Sequence, residues 1–161
     1  MRRLPLLIVL IAVLASTAAW AQSGPSPTIV YKKGTVVLSQ SYRRVRLQVE
    51  VADTPESRTQ GLMHRRQLAE NAGMLFIFEA TSRGGFWMKN TLIPLSIAFI
   101  DEKWKVVDIK DMAVAPDPEK GPFTVYASSK DYRYALEVNI GFFERHRITV
   151  GAGVRYIPQH P

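Results

Sequence analysis

The segment Phe86-Trp87-Met88-Lys89-Asn90-Thr91 sets a cation and an amide inside an otherwise apolar run. On a strand, alternate side chains share a face, so Trp87 and Lys89 would place an aromatic plate beside an ammonium. Flat apolar surface next to a few convergent polar groups is a common way to build a site for a sugar or a carboxylate. Lys89 would pair with a ligand anion, and the Asn90 amide offers both a donor and an acceptor. The competing reading makes Trp87 core, Asn90 a turn cap and Lys89 an ion-pair partner of Glu137 or Asp101. Arg58, Arg65 and Arg66 supply guanidinium forks suited to carboxylate or phosphate. One of them could instead pair with Glu137, which sits among the apolar residues Ala135, Leu136 and Val138. The candidate contact set is therefore Arg65, Trp87, Lys89 and Asn90, with Glu137 orienting them.

Other chemistries find less in the sequence. Histidines occur at 64, 146 and 160, with no His-Glu-x-x-His, Gly-x-Ser-x-Gly or phosphate-binding glycine motif. A hydrolase would have to use Asp101 and Glu137, or Asp111, yet the acidic residues near 101 and 108–111 read as solvated turn or strand positions. Met63, His64 and Met88, with Met74 and Met112, are soft ligands of the kind that suit Cu(I). No Met-x-x-Met or paired-histidine spacing supports that, and methionine readily fills gaps in cores. Neither a metal nor a cofactor is expected. An enzyme predicts a cavity holding a carboxylate or histidine of shifted pKa. A copper carrier predicts Met63, His64 and Met88 converging, and an interaction module predicts an exposed apolar patch.

These residues must be held by a single domain, because the chain has 161 residues. Cysteine is absent, which excludes disulfide scaffolds and thiolate chemistry. The net charge of +7 comes from basic residues scattered along the chain. No focused patch with stacking aromatics is visible, so nucleic acid is not an expected partner. The cations read either as a plain solvated face or as a source of weak affinity for anionic envelope surfaces.

The first 21 residues read as an export signal. Arg2-Arg3 precede the short apolar run Leu4–Leu14, and Ala19-Trp20-Ala21 fits the small-x-small pattern of a cleavage site. Cleavage after Ala21 and a periplasmic or secreted location are expected, with membrane contact only through the transient signal; retention as an anchor is the alternative. Residues 22–43 then read as a leader and an N-terminal hairpin turning at Lys33-Gly34 between Ile29–Tyr31 and Thr35–Leu38. The main β domain is expected over 44–157, with a tail at 158–161.

Within that domain, Val45, Leu47, Val49 and Val51 alternate with polar residues and predict a strand over 44–51. Asp53 or Thr54 caps a helix over 55–62, with Pro55 in its first turn. Met74–Phe78 predicts a buried strand, and Leu95–Ile100 with Trp104–Ile109 a hairpin around Asp101-Glu102-Lys103. Pro116, Pro118 and Pro122 mark a loop without a strand. Tyr134–Val138 and Thr149–Ile157 complete the strands, and a short helical turn is expected over 140–146. The fold class is mostly β: an antiparallel sandwich or barrel, jelly-roll-like, with one or two short helices.

Several of these words occur together in a known family. Arg58-x-x-Gly61-Leu62-Met63-x-Arg65, Gly73-Met74-Leu75-Phe76, Phe86-Trp87-Met88-Lys89-Asn90-Thr91-x-Ile93-Pro94-Leu95, Phe99-Ile100-Asp101 and Ala135-Leu136-Glu137-x-Asn139-x-Gly141 resemble the family known as domain of unknown function 192. The resemblance covers about residues 44–157. It implies a compact β fold of jelly-roll-like topology and an export signal before a single domain; the family has no agreed activity. Many of its members carry aspartate after the Ile-Pro-Leu word, where this chain has Ser96. Any role resting on that carboxylate does not carry over.

Overall fold

The computed structural model describes residues 29–159. The proposed signal segment, the leader up to residue 28, His160 and Pro161 lie outside the described residues. Nine strands and two short helices follow one another: β1 (Lys32–Gln40), β2 (Arg43–Ala52), α1 (Pro55–Gln60), β3 (Ala72–Ser82), β4 (Gly85–Trp87), β5 (Leu95–Ile100), β6 (Val106–Met112), β7 (Val125–Ala127), β8 (Tyr132–Asn139), α2 (Phe142–Arg145) and β9 (Gly153–Pro158). Among the described residues no helix is long and apolar enough to cross a membrane.

Seven strands form one sheet in the order β6-β5-β8-β3-β2-β1-β9, and β4 pairs with β7 in a separate ribbon. The sheet curls far enough for its outer strands to meet at one point. Lys105 bridges Gly153, and the Val106 N–H donates to the Ala152 carbonyl at 2.9 Å. Every pairing is antiparallel except β2 with β3, which run parallel through the α1 crossover. The expected mostly-β class holds, with a mixed sheet in place of a purely antiparallel one.

The curl gives the sheet two apolar faces. Val36, Leu38, Leu47, Val49, Leu75, Leu136, Phe142 and Val154 pack inside it. On the other face Met74, Phe76, Ile97, Phe99, Tyr132 and Ala135 are covered by Leu62, Met88 and the β4 residue Phe86. Burying large apolar side chains at about 1.5–3 kcal/mol each is what holds the curl closed.

The helix α1 is started by a reciprocal cap. Thr54 Oγ1 accepts the Ser57 N–H at 3.1 Å, and Ser57 Oγ accepts the Thr54 N–H at 2.9 Å. Two expected elements differ. Residues 32–40 are one strand, not part of a hairpin turning at Lys33-Gly34: Gly34 sits mid-strand because the Tyr156 ring occupies the space of a side chain. The segment after the proline loop contributes a strand, β7, which pairs Val125 with Trp87.

Candidate functional site

A cavity of about 370 Å³ opens between α1 and the strands β3, β4 and β8. Its walls include Arg58, Phe76, Phe86, Trp87 and Tyr132, and Glu137 lies in its lining. That volume is within the range of small-molecule sites. Strand alternation explains the arrangement: Glu137 shares the outer face of the sheet with Ala135, and its cross-strand neighbours are Met74 on β3 and Ile97 on β5.

Glu137 is 5% exposed, and both neighbours are apolar. No hydrogen bond or ion pair reaches its carboxyl among the described residues. Burial alone pushes its pKa up from 4.5 to about 8. At neutral pH it is chiefly the neutral acid, which can donate one O–H and accept at its other oxygen.

The rest of the wall is held rigidly. Arg58 Nη1 donates to the carbonyls of Asp53 at 3.0 Å and Ile77 at 2.9 Å, and its guanidinium lies over the Phe78 ring at 5.3 Å. The Tyr132 hydroxyl donates to the Gly84 carbonyl at 2.8 Å, and burial raises that phenol's pKa. Phe86 meets Phe76, Phe78 and Phe99 edge to face. Trp87, 50% exposed, stands at the mouth.

Of the sequence candidates, the structure brings Trp87 and Glu137 to this cavity. Lys89 does not share a strand face with Trp87, because β4 ends at Trp87 and Lys89 lies in the following turn. That turn nevertheless carries its ammonium over the indole, 5.7 Å from the ring centre. Asn90 lies behind the wall, in the left-handed region at φ 52°. Its N–H donates to Pro118 O at 2.6 Å, its carbonyl accepts the His64 N–H at 2.7 Å, and its amide contacts Met63 Sδ at 3.9 Å. It ties three loops together.

Arg65 points elsewhere. It pairs with Glu50 at 2.5 Å and lies over the Tyr31 ring, lining a different hollow beside Gln48 and Ala72. The expected ion pair between an arginine and Glu137 is thus absent among the described residues: Arg65 pairs with Glu50, and Arg58 with backbone carbonyls. Arg58, not Arg65, reaches the cavity. α1 stops at Gly61, so Arg58 lies on the helix beside the cavity and Arg65 lies past its end, although Leu62 and Met63 just beyond the stop still line the cavity.

The rival chemistries scatter. Asp101 closes the β5–β6 turn by accepting the N–H groups of Lys103 and Lys105 at 2.9 and 2.8 Å. It lies four residues along β5 from Ile97, about 13 Å from the strand position beside Glu137. Met74, Met88 and Met112 are buried in the apolar layer, whereas His64 is exposed. Among the described residues no group of three His, Cys, Asp or Glu is placed to hold a metal ion. Ser96 donates to Asp111 Oδ1 at 2.5 Å and accepts the Gly141 N–H at 2.8 Å.

The chain is thus a mostly β domain built on one curled, mixed seven-stranded sheet with an α1 crossover. The chain matches the model of the family DUF192, described as Uncharacterized ACR, over residues 36–156, and belongs to that family. It is similar to a crystal structure from Sinorhizobium meliloti 1021, described as that of a candidate transcription regulator. The two are 34% identical with a TM-score of 0.72, covering 81% of this chain and 98% of that one. A protein of unknown function from Novosphingobium aromaticivorans DSM 12444 is 30% identical with a TM-score of 0.68, over 75% of this chain and 83% of that one. No curated protein matches the chain.

Proposed function

We propose that this chain is an exported domain that holds a small hydroxylated or carboxylate-bearing molecule, such as a sugar or sugar acid, in the cavity beside α1. One observation carries the reading: a buried carboxyl without a partner lines a cavity large enough for a ligand. The carboxyl oxygens are not sealed from solvent but face the cavity. A ligand oxygen can accept the Glu137 O–H there. Trp87 offers a flat ring at the mouth, and Lys89 and Arg58 make the approach positive, which favours an acidic sugar over a neutral one. Export is supported by the signal-like pattern of residues 1–21.

The same carboxyl supports a second reading. An acid with a pKa about 8 is poised to donate a proton at neutral pH. Among the described residues the cavity lining holds Glu137 as its single acidic side chain, so these residues do not assemble the second carboxylate of glycoside hydrolysis there. Binding is therefore the conclusion. Native mass spectrometry of the purified chain, followed by calorimetric titration with neutral hexoses and hexuronic acids, tests it. Binding is expected at neutral pH and lost in Glu137→Leu; identical titrations for the two proteins, or turnover of a bound glycoside, would overturn it.

A further inference from the structure

The end of the sheet opposite the cavity carries a feature that ligand binding does not use. β1 and β2 turn at Ser41-Tyr42, where Tyr42 is 84% exposed. Gln40 Oε1 accepts the Thr149 N–H at 3.1 Å, which sets the loop before β9 beside that turn. In that loop Val150 is 58% exposed. Two large apolar side chains thus stand in water on neighbouring loop tips.

Cations surround them. Residues 33–49 contain Lys33, Arg43, Arg44 and Arg46 and no Asp or Glu; residues 145–159 contain Arg145, Arg147 and Arg155 and again no Asp or Glu. The sheet interleaves these stretches, because β1 lies between β2 and β9. Val37 has Arg46 across one edge and Arg155 across the other, and Ser39, two residues on, has Arg44. All three arginines therefore project from one face. Val37 is on that outward face, between Arg46 and Arg155, and only 4% exposed.

Arg44, Arg46 and Arg155 line a groove of about 300 Å³. The Lys105 ammonium reaches its rim beside Gly153, 3.6 Å from where a side chain there would begin. Among the described residues none of these four forms an ion pair. Unopposed cations held together repel one another, and an external anion relieves that repulsion. The protruding apolar tips decide which anion. A soluble polyanion has no use for Tyr42 and Val150, whereas an anionic lipid surface accepts both, with cations at the headgroups. Arg43 already lies over the Tyr42 ring at 4.9 Å, joining cation to aromatic as an interface requires.

We propose that the β1–β2 turn and the loop around Val150 dock on an anionic lipid surface, Tyr42 and Val150 entering the headgroup layer while Arg44, Arg46, Arg155 and Lys105 meet lipid phosphates. α1 follows the far end of β2, whose ten residues span about 30 Å, so the cavity faces away from the membrane and stays open.

Cosedimentation with phosphatidylcholine vesicles, with and without phosphatidylglycerol, tests this. Both the full chain and the chain recovered after export are used; the apolar run 4–14 is common to every variant, so differences report the tip. Binding is expected only with phosphatidylglycerol and is expected to fall with added salt. The triple variant R44Q/R46Q/R155Q is expected to lose about 100-fold, each arginine contributing about five-fold. R44K/R46K/R155K keeps the charge and is expected to keep the binding, which separates charge from any damage to the fold. Y42S/V150S is expected to weaken vesicle binding without changing retention on heparin. Equal binding to both vesicle types would overturn the proposal. So would unchanged vesicle binding by Y42S/V150S, which would make the face a site for soluble polyanions.

Discussion

Replacing Glu137 by Gln should remove a specific pH dependence from the stability of this chain. The folded carboxyl has a pKa about 8, against 4.5 when exposed to water. Between those values the folded state holds a proton that the unfolded state has released. Stability therefore falls by about 1.4 kcal/mol per pH unit across that window, because the native state binds one proton more. The favourable contribution is intact below pH 4.5 and gone above about pH 8, a total of about 5 kcal/mol. Gln has a similar shape and no proton to lose, so its stability should be flat with respect to this group. Urea unfolding followed by tryptophan fluorescence, across roughly pH 5–9, gives both curves and checks that the denaturant slope is unchanged. The difference between the two proteins should decline steadily to about pH 8 and then level off. Parallel curves would refute the reasoning, since they would mean that Glu137 finds a counter-charge or water in solution. A carboxyl carbon resonance titrating near the ordinary value of 4.5 would refute it equally.

Other substitutions separate the cavity from its surroundings. Arg65→Ala should cost at most about 1 kcal/mol of unfolding free energy, because its pairing with Glu50 is partly solvated, and ligand titration should be unaffected. Trp87→Ala should do the reverse, weakening calorimetric affinity about five- to ten-fold with little change in Tm, since half of the indole is already in water. Gly73→Ala should destabilise the chain by about 1–3 kcal/mol in urea unfolding, because the new methyl would lie 2.6 Å from the Glu137 carbonyl across the β3–β8 ladder.

How far the sequence reveals this fold depends on the range of the interaction involved. β2 and α1 are legible because their signals are local: an alternation of valines with polar residues, and a Thr54 cap followed by Pro55. The β5–β6 hairpin is legible for the same reason, since Asp101 organises its own turn. Gly34 misleads because its meaning depends on Tyr156, more than a hundred residues away. β7 is hidden behind prolines, and its partner β4 is only three residues long. The parallel pairing of β2 with β3 has no local mark beyond a helix between two strands. Arg58 and Arg65 look equivalent in sequence; the backbone leaving α1 at Gly61 sends one to the cavity and the other to Glu50.

Glu137 shows why candidate sites are only half legible. An acid among Ala135, Leu136 and Val138 is visibly out of place, and the chemistry of carboxylates suggests a cationic partner. Whether that partner exists is decided by strand order, which no local pattern reveals. Here β8 lies between β3 and β5, and the register sets Met74 and Ile97 on either side. Arg58 bonds backbone carbonyls and Arg65 pairs with Glu50, and the carboxyl is left with burial and an open cavity. Stability alone would favour an apolar residue at such a point, because burial penalises the ionised carboxyl. A site under selection for function tolerates that loss. On the binding reading proposed for this cavity, the acid is explained by what enters it rather than by what surrounds it.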